Sequence, residues 1–371
     1  MPSTRQANAS TPVPRRLVGL RSAVYGGLAS AAAAVAIATI PGCGVAYVLR
    51  SGWYQAELLA AREPLGEVLA SDALSVGARQ RLLLVPELKA YGATLGLAAT
   101  DNYDTVAVGW DRTIWNVSAC DPLAFQPVTW WFPIVGRVPY LGFFTDTDAR
   151  EREADLRASG YDVYVRTAGA YSTLGWFRDP ILPGMLRWSE AQLAETVFHE
   201  LAHATLWVPG SVAFNESFAS FVGEVGARRW LADRYGEAST EVASYDREDR
   251  DMRRYEALLH EVYRDLDTIF ADTGRPEAER LAAKRAVFES IPDRILASDI
   301  EDRASWATYA RRSEWNNARL VQFKVYNSGE DDFAALYARH PDLPSFIDAL
   351  RRITRGAPDA RSALADAVKK I

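Results

Sequence analysis

The chain has 371 residues, enough for one large domain or two ordinary ones, and its 49% hydrophobic and 24% charged residues exclude wholesale disorder. A net charge of −6 excludes the basic surface of a nucleic-acid binder, so no nucleic-acid partner is expected. Cys43 and Cys120 are the only cysteines and make at most one disulfide, which excludes a disulfide scaffold.

Residues 1–22 are polar and basic, with Arg5, Arg15, Arg16 and Arg21, and Ser22–Leu49 carries no charge. A basic segment followed by an apolar run reads as a secretion signal, and the run is long enough for an uncleaved membrane helix. Ile40-Pro41-Gly42-Cys43 has the form of a bacterial lipobox, with Cys43 the candidate for lipidation; proline at its middle position departs from the usual small residue. A simple membrane anchor beside a buried, inert Cys43 is the second reading, and a soluble cytoplasmic protein is the third. The first two readings share a topology: residues 1–43 form the signal or anchor, and residues 44–371 form the catalytic domain outside the cytoplasm, in the cell envelope. Arg15-Arg16 is a twin-arginine pair without the flanking residues that would make it specific.

Trp53–Leu69 predicts a helix ended or interrupted near Pro64, and Ala78–Leu97 one or two helices broken at Pro86, with Leu82, Leu83, Leu84 and Leu88 as core. Alternation over Asp104–Trp110 and Thr113–Ser118, around Asp111-Arg112, predicts a hairpin. The aromatic-dense stretch from Trp130 to Phe144 reads as a core wall. Thr147–Ser159 predicts a charged surface helix and Tyr161–Arg166 a strand, giving a small, mostly antiparallel sheet ahead of the next motif. Ala170–Phe177 is a loop directly before that motif, a common place for substrate contacts.

That motif is His199-Glu200-Leu201-Ala202-His203. Ser189 and Gln192 form a capping box that starts a helix near residue 190. Leu193, Ala194, Val197, Phe198, Leu201 and Ala204 share its apolar face, and His199 and His203 project together from the opposite side. Trp207–Gly210 is a turn, and a second helix runs from about Ala213 to Tyr235 with Glu216 in its first turn. Glu216 shares a face with Ala219, Ser220, Gly223 and Ala227, all small, which lets the two helix axes approach; Glu224 is the alternative third ligand. Two imidazoles and one carboxylate with a position left open are the donor set of a catalytic Zn2+. Glu200, about 100° round the helix from His199, is placed to act as general base on a water. The predicted reaction is metal-assisted hydrolysis of an amide.

Downstream, Thr240–Ile269 predicts a long helix with a charge run at Asp246–Asp251 and an apolar stripe through Met252, Tyr255, Leu259, Val262, Leu266 and Ile269. A helix over about 277–291 returns as an αα-hairpin that is a candidate cover for the cleft. Trp306–Tyr326 predicts one more helix, and three shorter ones finish the chain. His260 and His340 read as surface histidines.

The blocks Phe198–His203, Ala213–Ala219 and Tyr171–Phe177 resemble the bacterial predicted aminopeptidases, zincin-like metallopeptidases that are often lipoproteins. The stretches Trp115–Val117, Tyr140–Phe144 and Asn316–Leu320 extend the likeness over most of the chain after Cys43. The resemblance implies a mainly helical α+β fold of the gluzincin type, with His199, His203 and Glu216 as ligands and Glu200 catalytic. It also makes Tyr171 and Tyr326 candidates for stabilising the oxyanion, although spacing places neither. The expected activity is that of a membrane-anchored zinc aminopeptidase. A zinc endopeptidase acting on envelope proteins, or a non-catalytic zinc-binding lipoprotein, are the alternatives.

Overall fold

The computed structural model describes residues 45–132, 136–168, 178–326 and 330–370. The signal or anchor segment, Cys43, and the loop that carries Tyr171 lie outside the described residues. The fold is mainly helical with small antiparallel sheets, the expected α+β class. Chain contacts divide it into two units: one of residues up to 87 with 101–112 and 169–188, the other of residues 88–100, 113–168 and 189–371.

In the first unit, α1 (Val45–Ala60) leads into β1 (Arg62–Pro64) and α2 (Leu65–Ala70). The helix expected over Trp53–Leu69 is interrupted near Pro64 as its sequence indicates, and a short strand stands in the gap, because Pro64 holds extended geometry (φ −55°, ψ 134°) and the strand that it ends pairs. β1 pairs antiparallel with β2 (Thr105–Ala107), Glu63 opposite Val106. The expected hairpin of β2 with the next strand is thus not formed. Gly109, at φ 69°, turns the chain away after Val108 donates its N–H to the Ala61 carbonyl. Between them α3 (Val76–Thr94) runs unbroken through Pro86. Leu82, Val85 and Leu88 are all buried, and their packing outweighs the lost backbone bond. Leu83, expected in the core, is instead exposed.

The second unit is built round β3 (Ile114–Cys120). β4 (Trp130–Phe132) and β5 (Gly136–Val138) make a separate hairpin, Trp130 opposite Val138. β6 (Leu141–Phe143) and, after α4 (Asp146–Ala158), β7 (Asp162–Ala168) flank β3 antiparallel, Val117 facing both Leu141 and Val165. The aromatic stretch is only partly a wall: Trp130, Phe143 and Phe144 are buried, Trp131 is exposed.

Helices supply the rest: α5 (Glu190–Thr205), α6 (Val212–Tyr235), α7 (Thr240–Ala271), α8 (Glu277–Glu289) and α9 (Ile291–Ala297). α7 and α8 form the predicted αα-hairpin, closed on a core of Leu259, Val262, Leu266, Phe288 and Ile291. Met252, expected on that stripe, is exposed, and Leu258 and Phe270 are buried in its stead.

The predicted helix over Trp306–Tyr326 is two, α10 (Arg303–Arg312) and α11 (Asn317–Tyr326). Asn316 divides them: its amide donates to the Val163 carbonyl while its Oδ1 accepts the Arg319 N–H, an asparagine cap that restarts the helix. α11 packs on β3, β7 and α6. α12 (Glu330–Tyr337), α13 (Leu343–Thr354) and α14 (Ala360–Lys369) finish the chain as expected. Phe333 and Phe346 from α12 and α13 meet Phe221 of α6 at ring separations of 6.0 and 5.4 Å, so one side of α6 is fixed in an aromatic core.

Candidate metal centre

α5 begins as its sequence dictates. The Ser189 hydroxyl accepts the Gln192 N–H and the Gln192 side chain accepts the Ser189 N–H, completing the capping box. Leu193, Ala194, Val197, Phe198 and Leu201 are buried, which sets the rotation of the helix. His199 and His203 then emerge on the remaining side, each partly buried, their rings edge to face with centroids 4.6 Å apart. Trp207 packs against the His203 ring at 5.5 Å and limits its rotation.

α6 approaches closely for the reason its sequence shows. A Cβ on Gly223 would lie 2.8 Å from the Glu195 carbonyl oxygen and 3.5 Å from the His199 Cβ, and one on Gly226 would lie 2.8 Å from the Phe198 ring. Only glycine allows the two helices this separation. Asn215, fully buried, fixes the connection: its Oδ1 accepts the Val208 N–H and its Nδ2 donates to the Val208 carbonyl. The turn is thereby tied to the residue next to Glu216. This clamp was not read from the sequence, although a polar residue directly before a candidate ligand was its signal.

The result is a convergence. Ligand atoms of His199, His203 and Glu216 all lie within 4.8 Å of one another, the one such group of three among the described residues. The two Nε2 atoms are 3.0 Å apart, and the Glu216 carboxylate stands 3.5 Å from His199 and 3.7 Å from His203. Tetrahedral ligands at about 2.0–2.1 Å from a zinc ion are separated by roughly 3.3 Å, so the three edges fit such an ion. Glu224, the alternative from spacing, is not in this group. Its backbone carbonyl instead accepts the Tyr245 hydroxyl.

Electrostatics match the donor set. Burial, helped by the neighbouring His199, pushes His203 down to about 4 against the pull of Glu216, so its imidazole is neutral at pH 7. Burial opposes charge on Glu216, but the hydrogen bond to His199 and the two nearby rings prevail and hold its carboxyl below the usual range. A neutral imidazole and an ionised carboxylate are the metal-binding forms. The His203 Nδ1 is buried without a hydrogen-bond partner among the described residues, so the ring is oriented by packing.

Glu200 is 7% exposed, more enclosed than either histidine side chain, and lies outside the ligand group. Glu195, one helical turn before His199, is an addition that the sequence did not single out. Burial raises its pKa against the opposing bond donated by the Tyr245 hydroxyl at 2.6 Å. Tyr171 lies outside the described residues. Tyr326 closes α11, and its side chain is likewise outside them. His260 is exposed, and His340 Nδ1 sits 2.8 Å from the Leu336 carbonyl, so neither belongs to the centre.

A family model described as "Putative aminopeptidase" matches residues 46–364. The chain belongs to this family. No curated protein and no solved structure matches it. Membership gives peptidase activity at the level of class and a peptide as the substrate. The candidate metal group lies inside the matched residues, so the matched stretch includes both helices that build it.

Proposed function

We propose that the protein is a zinc aminopeptidase of the gluzincin type, with His199, His203 and Glu216 as ligands and Glu200 as general base. The observation that carries this reading is the convergence of two imidazoles and a carboxylate on two helices held together by glycine. When bound, zinc supplies Lewis acidity, polarising a carbonyl and acidifying a water. Glu200 takes a proton from the attacking water and delivers it to the leaving amine as the C–N bond breaks. Tyr171 and Tyr326 are the proposed hydrogen-bond donors to the oxyanion, each worth about 3–4 kcal/mol if correctly aimed. Residues 1–43 are proposed as the signal or membrane anchor, with lipidation at Cys43, which places the catalytic residues in the cell envelope. Among the described residues, no helix is long and apolar enough to cross a membrane.

Metal analysis and peptide profiling test the reading together. The purified chain is expected to hold near-stoichiometric zinc, and Glu200→Gln to keep it while losing about 10²–10⁴-fold in turnover. Free-amine peptides are expected to be cut and N-blocked ones spared. A metal-free native protein, or a Glu200→Gln variant as active as the parent, refutes the catalytic assignment; cleavage of blocked peptides makes it an endopeptidase.

A further inference from the structure

α1 turns an uncharged face to solvent. Leu49, Gly52, Trp53, Ala56 and Ala60 follow one another at helical spacing and are all exposed, Leu49 at 54% and Trp53 at 71%. A surface helix of a soluble fold carries its charges on this side. The charges beside the stripe are Arg50 and Glu57, about 100° and 80° round the helix from Leu49, and Glu57 pairs with Arg112. The opposite side is committed to the first unit: Leu58 is fully buried, and the Arg112 guanidinium lies 4.8 Å over the Tyr54 ring. The helix therefore cannot roll its apolar face inward without losing these contacts.

The sequence before α1 bears on what could cover the stripe. The uncharged run that begins at Ser22 continues without interruption to Leu49, so the candidate anchor and the first turn of α1 are one apolar stretch. Four residues, 41–44, lie between Ile40 and Val45, so about five Cα–Cα steps join them. A chain of that length spans at most about 18 Å even when fully extended. If residues 23–40 or a lipid on Cys43 enter a bilayer, α1 starts within or just above the headgroup layer, which is roughly 5–8 Å deep on each side. Tryptophan is the side chain that prefers this layer, and Gly52, Ala56 and Ala60 beside it leave it free to insert. Arg50 at the edge of the stripe suits anionic headgroups.

We propose that α1 is an interfacial helix: the Leu49–Ala60 face lies on the lipid bilayer that holds the N-terminal segment, seating the first unit directly on the membrane surface. This inference rests on the membrane-anchoring reading and is independent of the chemistry at the metal centre.

The test uses the full chain in vesicles of phosphatidylethanolamine and phosphatidylglycerol, with and without brominated acyl chains. The emission of Trp53 is obtained as the difference between the parent and Trp53→Phe, a conservative change at an exposed position. In brominated vesicles that difference is expected to lose most of its intensity, and to be shielded from aqueous acrylamide. A chain that floats with the vesicles while Trp53 stays unquenched by bromine overturns the interfacial helix and leaves anchoring intact. Acrylamide then separates a water-facing stripe from one covered by a second copy or by residues 23–40, and both results are refutations. A chain that does not float with vesicles at all overturns anchoring and the interfacial helix together.

Discussion

Gly223→Ala isolates the claim that the metal centre depends on how closely two helices approach. The added methyl group would lie 2.8 Å from the Glu195 carbonyl oxygen and 3.5 Å from the His199 Cβ. Even short C–H···O contacts keep about 3.3–3.6 Å, so the first distance is too small by roughly 0.5 Å or more. The obstacle is backbone and has no rotamer to yield. In a regular helix that carbonyl also accepts the His199 N–H, so the push falls on the turn that carries the first ligand. Overpacking of this kind costs about 1–3 kcal/mol. Alanine returns up to about 1 kcal/mol through helix propensity, leaving a net loss on the order of 1 kcal/mol. Widening the gap moves Glu216 away from two nitrogens that it already meets at 3.5 and 3.7 Å. Zinc affinity is therefore expected to fall by about 10–100-fold, the usual cost of disturbing the residues behind a ligand. Denaturant unfolding of the metal-free chain and competition against a chelating dye measure the two effects. Gly77→Ala is the control: it lies in α3, where an added Cβ meets nothing within 4 Å, and is expected to be neutral or slightly stabilising. A Gly223→Ala protein that gains stability as the control does, and binds zinc like the parent, refutes the argument.

Three more outcomes follow from buried polar groups. Asn215→Ala is expected to cost about 1–3 kcal/mol, by stranding the Val208 N–H and carbonyl, and to weaken zinc binding; unchanged thermal unfolding would remove the clamp from the account. Asp251 is 3% exposed; burial opposes its charge, but the N–H groups of Asp302 and Glu301 outweigh that and hold its carboxyl below its ordinary value of about 3.9. Its folded pKa is the lower one, so its contribution is complete above that ordinary value and is lost as pH falls through the folded one. Asp251→Asn should accordingly flatten the acid limb of the stability–pH curve and cost about 1.5–3 kcal/mol at neutral pH, which acid titration of both proteins checks. Lys284, 6% exposed, donates to Asp162 and to the Pro122 carbonyl. Lys284→Met should cost about 3–5 kcal/mol because Asp162 is left without its counter-charge, and adding Asp162→Asn should restore part of it; a neutral single variant contradicts this.

Much of the centre was legible because helices write their contacts at short range. The capping box at Ser189 and Gln192, the histidine pair four apart, and the small face through Gly223 each depend on neighbours within a few turns. Glu216 was legible for the same reason, since one turn and a helix start place it. The strands were read less well. Alternation found β2 and β3, but the partner of β2 is β1, some forty residues earlier, and no local pattern names a distant partner. Pro86 and Asn316 show the two ways in which helix boundaries escape the sequence. Packing of Leu82, Val85 and Leu88 carried one helix through a proline, and a side-chain bond to the distant Val163 carbonyl divided another.

By itself the sequence determined the donor set, its helical presentation, and the class of chemistry that two imidazoles, a carboxylate and a neighbouring glutamate can perform. Tertiary structure decided what depends on chain segments far apart. It brought Glu216 to the two histidines, buried Glu200, pushed His203 down and held Glu216 below its usual range, and tied the intervening turn through Asn215. Those properties follow from burial and from distances between helices, and neither quantity exists until the chain has packed.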